Sequence, residues 1–208
     1  MFVVAALGVV LLSSDNTSTV WADMVETILN AKSAKFTMTV TVEGQQPQTF
    51  VAMVLEPNRF RQEMPGGTVN IADWNVGKMV GLNPSEKKAT VITISDRPES
   101  AGSQDFFQRI KEQLLDEQTN PEVKREALGK KTVDGCAALG FRITSPGQTM
   151  TIWGDPVSGL PYRIESTMKM VPNTRVVMSD FEINVDLDES LFSLEPPVDY
   201  AIVTIDVP

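Results

Sequence analysis

From Lys35 to Ile94 the chain alternates apolar and polar positions with little interruption. Phe36, Met38, Val40 and Val42 stand between Lys35, Thr37, Thr39, Thr41 and Glu43, the period of two expected of a strand with one solvated face. Further strands are predicted at Thr49–Leu55, Arg59–Met64, Thr68–Ala72, Lys78–Leu82 and Lys88–Ile94. They are cut by turn chemistry at Gly44-Gln45-Gln46-Pro47, Pro57-Asn58, Pro65-Gly66-Gly67 and Asn83-Pro84-Ser85. Connections this short make neighbours in sequence neighbours in space, so the segment reads as an antiparallel meander.

The period changes on either side of this meander. Val20, Trp21, Met24, Val25, Ile28 and Leu29 recur at helical spacing, which predicts an amphipathic helix whose apolar stripe lies on the sheet. A second helix is predicted over Phe106, Phe107, Ile110, Leu114 and Leu115, after a Pro/Ser/Gly-rich stretch and with Ser103 as its N-cap. Placed between two runs of strands, it serves either as a lid over the open face or as a plug of the core. Strands resume at Lys131–Val133, Ala137–Thr144, Thr149–Trp153, Tyr162–Met168 and Thr174–Ile183, and the chain closes through Leu187, Leu191, Phe192 and Leu194 to an apolar tail at Ala201–Ile205. No boundary divides this into two domains, and 208 residues suffice for one core.

Composition narrows the function. A formal net charge of -9 repels phosphate backbones, which argues against a nucleic-acid partner. The chain has no histidine, so the commonest metal ligand and the usual base for serine or cysteine nucleophiles are missing. Cys136 is the lone cysteine and reads as a small buried filler. The carboxylates Asp180, Glu182, Asp186, Asp188 and Glu189 lack the glycine-turned loop of a calcium site and read as a solvated strand face. Gly66 and Gly67 lack the order of a phosphate loop. These readings predict no enzyme, no cofactor and no metal site.

Residues Met1–Leu12 are apolar throughout and a polar spacer follows to Thr19. Twelve residues fall short of the roughly 20 that span a bilayer, and the first basic residue is Lys32, which is unlike a secretory signal. The expectation is that residues 1–19 are a truncated transmembrane anchor with its linker, and that residues 20–208 form the folded domain on the periplasmic side of the cell envelope. Ten methionines, most in or beside predicted strands, suit a surface that adapts to irregular apolar ligands as well as a core with gaps to fill.

The order of these pieces resembles the LolA-like periplasmic carriers of outer-membrane lipoproteins and the related N-terminal domain of the sigma-E regulator RseB. The resemblance rests on the first helix, the strand at Lys35, and the Pro57-Asn58-Arg59-Phe60-Arg61 corner. It continues through Ile71-Ala72-Asp73, Asp134-Gly135 with Gly140-Phe141-Arg142-Ile143, Trp153-Gly154-Asp155 with Gly159-Leu160-Pro161-Tyr162-Arg163, and Phe192-Ser193-Leu194-Glu195-Pro196-Pro197. It implies a mainly β, α+β fold: a curved antiparallel sheet forming an unclosed half-barrel, with amphipathic helices covering a hydrophobic cavity. The carriers have an arginine directly before the Pro-Asn corner, tied to lid opening and lipoprotein handling, where this chain has Glu56.

The function expected is therefore non-catalytic binding of an acyl chain, lipid or lipoprotein in the cavity. The alternative is a sensory or protein-interaction ectodomain of a membrane-anchored regulator of a sigma factor, with a protein partner in the envelope. The residues expected to line the cavity are Phe36, Met38, Val40, Phe60, Met64, Met79 and Trp153 from the strands, with Phe107 and Ile110 from the second helix.

Overall fold

The computed structural model describes residues 16–94, 106–168 and 173–207. The N-cap expected at Ser103, the Pro/Ser/Gly stretch before it and the apolar start at residues 1–12 lie outside the described residues. Among the described residues no helix is long and apolar enough to cross a membrane.

Among the described residues twelve strands form one sheet. The first meander runs through β1 (Ser33–Val42), β2 (Gln48–Leu55), β3 (Arg59–Glu63), β4 (Val69–Asp73), β5 (Lys78–Asn83) and β6 (Lys88–Ile94). The second runs through β7 (Lys124–Val133), β8 (Cys136–Thr144), β9 (Gln148–Gly154), β10 (Pro161–Met168) and β11 (Thr174–Ile183). Antiparallel pairing of β1 with β11, from Ala34 opposite Ile183 to Val42 opposite Thr174, joins the two. The last strand, β12 (Ala201–Val207), adds to β6 in parallel. The strand order β12-β6-β5-β4-β3-β2-β1-β11-β10-β9-β8-β7 leaves β12 and β7 as separate edges, so the sheet is an unclosed half-barrel.

Register sorts the side chains into two faces, because residues directly opposite in a ladder point the same way. Phe36 stands opposite Ala52 and Met38 opposite Phe50 on one side and Met178 on the other. Along with Ile164, Ile152 and Phe141 these define an inner face. Helices α1 (Asn16–Leu29) and α2 (Phe106–Thr119) pack on it. Val20, Trp21, Met24, Val25 and Ile28 of α1 and Phe107, Ile110 and Leu114 of α2 are buried there, the stripes that the helical spacing predicts. The first helix begins inside the polar spacer, at Asn16.

The motif Trp153-Gly154-Asp155 to Tyr162 seats α1. A Cβ on Gly154 would come within 2.6 Å of Met24 Cε, and one on Gly159 within 2.8 Å of Asp23 Cβ. Gly159 also has φ +70°, a conformation that side chains disfavour. Asp155 holds the loop by accepting from the backbone N–H groups of Val157 and Ser158 at 2.7 and 2.8 Å and from the Tyr162 hydroxyl.

The outer face carries two smaller clusters. Met53 and Ile71 pack with Phe192 and with Leu187, Leu191 and Leu194 of the segment leading to β12. Arg61 fastens that segment by donating to the Leu191 carbonyl at 2.8 Å. At the other end Trp153 packs with Val133 and Ala138 and lies over Gly140, where an added Cβ would come within 2.3 Å of its ring.

Three expectations change. The strand expected at Lys131–Val133 begins at Lys124 and forms an edge whose side chains are almost all exposed. The apolar tail is an ordered strand. Cys136 is exposed, because it opens β8 directly after the Asp134-Gly135 turn of the edge hairpin.

Candidate functional site

The inner face is divided. Under the helices its centre is filled: Phe36, Met38, Phe107 and Ile110 are 1%, 4%, 3% and 0% exposed. Phe36 stacks on Phe107 with ring centroids 5.9 Å apart and meets Phe181 at 5.3 Å. Val40, Phe60 and Met64 are partly buried and pack against this core. Seven of the nine residues expected to line a cavity are thus brought together, and here they meet one another.

Beyond Phe60 and Met64 the same face continues across β4, β5 and β6. Ladder partners carry it from Phe60 to Ala72, from Ala72 to Met79 and from Met79 to Ile92. An open groove of about 360 Å³ lies there, lined by Thr68, Asn70, Met79, Gly81, Asn83, Lys88, Thr90 and Ile92, with Val80 and Leu82 of the same strand. Among the described residues no helical one lines it. Gly81 supplies the gap in the floor, since a Cβ there would come within 3.3 Å of Asn70 Oδ1. Met79 is the one expected lining residue found in this groove.

Trp153 does not join either group. Met150 and Ile152 of β9 belong to the inner core, so the intervening parity sends Trp153 to the outer face.

The cover helix is tied down by a charge. Lys111 of α2, 7% exposed, donates to the Ala31 carbonyl at 2.8 Å and to Glu56 Oε1 at 2.7 Å. Its ammonium also lies 5.5 Å from the centroid of the Phe107 ring. The lysine thus joins α2 to the α1–β1 connection and to the corner after β2. Its partner is the Glu56 that departs from the carrier pattern, and the separation of 55 residues hides the pair from any local reading. Gln113, 6% exposed, has no hydrogen-bond partner for either amide atom among the described residues.

Electrostatics elsewhere are structural. Hydrogen bonds from Tyr162, Ser158 and Val157 lower the Asp155 pKa to about 2, and the same contact raises Tyr162 to about 12. Of the acidic run, Glu182 pairs with Lys35 at 3.1 Å, Glu189 with Arg59 at 3.3 Å, and Asp188 caps the 3-10 turn at Glu189–Phe192. Among the described residues no group of acidic or cysteine side chains is arranged to hold a metal ion.

No protein-family model matches the sequence, and a search of curated proteins found no match. Comparison of folds does find relatives. An uncharacterized conserved protein from Thermus thermophilus aligns over 91% of this chain and 99% of its own, at 14% identity and a TM-score of 0.51. The MucA/MucB complex of Pseudomonas aeruginosa aligns over 91% of this chain and 64% of its own, at 14% identity and a TM-score of 0.47. A LolA superfamily protein from Nitrosomonas europaea aligns over 85% and 96%, at 11% identity and a TM-score of 0.34. At these identities the likeness is one of fold alone, and the unclosed sheet with two helices packed on its inner face is the architecture that the resemblance implied.

Proposed function

We propose that this chain is a non-catalytic domain of the cell envelope that takes a hydrophobic ligand, an acyl chain or lipid tail, in the groove on the inner face of β4–β6. One observation carries this reading. The centre of the inner face is filled by Phe36, Met38, Phe107 and Ile110, and clefts of about 380 and 270 Å³ beside Trp21 are lined largely by α1 itself with Arg125, whereas at β4–β6 the sheet face stays open around Met79, Gly81 and Ile92. A volume of about 360 Å³ lies in the range of small-ligand sites. The thioether of Met79 and the side chain of Ile92 offer apolar contact, and Asn70 and Thr90 offer hydrogen bonds at its margin. Among the described lining residues Lys88 carries the only charge, and it is already paired with Glu86 at 2.7 Å. Among those residues no acid and base are set against each other, which supports binding over catalysis. The envelope location rests on the apolar start of the sequence and on the resemblance.

Titration with cis-parinaric acid, a fluorescent fatty acid, tests the reading. Gly81→Leu fills the floor of the groove and Met79→Glu sets a charge in it. Each is expected to weaken binding by about tenfold or more, the equivalent of about 1.4 kcal/mol. Failure of the unaltered protein to bind, or equal binding by both variants, rejects the groove as the site.

A further inference from the structure

Two edges terminate the sheet, and they are built differently. The β7 edge carries Lys124, Arg125, Glu126, Lys130 and Lys131 and a register shift between Ala127 and Gly129, the charges and irregularity that keep an edge from pairing with another chain. The β12 edge has no register shift and far fewer charges. Ala201–Val207 is regular along its whole length against β6, bears Asp206 as its one charge, and leaves Ile202, Val203, Ile205 and Val207 between 40% and 57% exposed. We propose that β12 pairs antiparallel with β12 of a second copy of this chain, about a two-fold axis at Thr204.

The backbone determines the register. Ala201 donates its N–H to the Lys87 carbonyl at 2.8 Å. In a parallel ladder, alternate residues of a strand bond to a given neighbour. Ala201, Val203, Ile205 and Val207 therefore bond toward β6, and Ile202, Thr204 and Asp206 direct their N–H and C=O groups to the free edge. An antiparallel partner centred on Thr204 joins Thr204 to the partner's Thr204 and Ile202 to the partner's Asp206, each pair exchanging two hydrogen bonds.

The side chains agree with that register. Val203 falls opposite the partner's Ile205 and Ala201 opposite the partner's Val207, so the apolar row of each copy meets its own kind. Asp206 faces the partner's Ile202 and not a second carboxylate, which avoids the like-charge penalty of a shifted register. The charges where the strand begins are internally paired, Lys87 with Asp199 and Lys88 with Glu86. A two-fold of this kind keeps the inner faces of both copies on one side. Val203 and Ile205 are the ladder neighbours of Thr90 and Ile92, so the two grooves flank the axis. The pairing itself does not require either groove to be occupied.

Sedimentation velocity across a concentration series, with residue-resolved hydrogen exchange, tests the proposal. The unaltered chain is expected to dimerise as concentration rises. The amides of Ile202, Thr204 and Asp206 should then slow by about tenfold or more, while those of Val203, Ile205 and Val207 are protected at every concentration. Thr204→Pro removes only an outward-facing donor, a change an edge strand tolerates, and is expected to give a monomer with an unchanged circular dichroism spectrum. A chain that stays monomeric throughout overturns the proposal. So does a dimer whose Ile202, Thr204 and Asp206 amides exchange freely, since its interface then lies elsewhere.

Discussion

Lys111 brings a charge under the cover helix, and its two bonds differ in how much water remains around them. The lysine side chain is 8% exposed and that of Glu56 is 34% exposed. Removing the carboxylate leaves an ammonium with the Ala31 carbonyl and little solvent, and an uncompensated buried charge is costly. Removing the lysine leaves a carboxylate that water can reach. The expected result is an asymmetry: Glu56→Ala destabilises by about 2–3 kcal/mol, and Lys111→Met by less than about 1 kcal/mol. Urea unfolding of the two variants measures it. Equal costs would mean that the pair behaves as an exposed one and does not hold α2 in place.

At the scale of elements, the loop between β9 and β10 shows how a few groups hold a helix. Asp155 has its pKa lowered from 3.8 to about 2 by the hydroxyl of Tyr162 and two backbone N–H groups. A carboxylate whose pKa is lower in the folded state stabilises it fully above the unfolded value and loses that contribution as pH falls through the folded one. The stability of the protein is therefore expected to fall between about pH 4 and pH 2 more steeply than that of Asp155→Asn, which has no such titration. Melting temperature against pH decides this, and parallel curves over that window would remove Asp155 from the acid response. The elements themselves were largely legible. Alternation in β1 and helical spacing in α1 and α2 survive because each has one face in the core. β7 is legible only in part because an edge strand exposed on both sides has no reason to alternate. β12 reads as apolar, but a parallel partner more than a hundred residues earlier leaves no local trace. The site was less legible than the fold. Parity could have sent Trp153 outward, since Met150 and Ile152 claim the inner face. Nothing in the spacing says which part of that face the helices fill, and so the open groove and the solid core were not separable.

Over the whole molecule this division becomes a gradient of stability. The sheet is hydrogen-bonded throughout, but side-chain burial is uneven. Phe36, Met178, Ile164, Ile152, Phe141 and Ile143 are 0–2% exposed beneath the helices, and burying a large apolar side chain contributes about 1.5–3 kcal/mol. Toward β6 the inner face borders the open groove, and β12 is exposed along its length. Local opening should follow burial, because regions with few apolar contacts open without unfolding the rest. In a dilute sample, the slowest amide exchange is expected in β1, β9, β10 and β11, with progressively faster exchange through β5 and β6 to β12. The β7 edge should exchange quickly as well, which separates burial from position in the chain. Peptide-level hydrogen exchange followed by mass spectrometry reads this directly. Uniform protection from β1 to β12 would show that the sheet opens as one unit. The groove would then lie on a framework as rigid as the core, in place of the pliable end that admits a ligand while the helices stay closed.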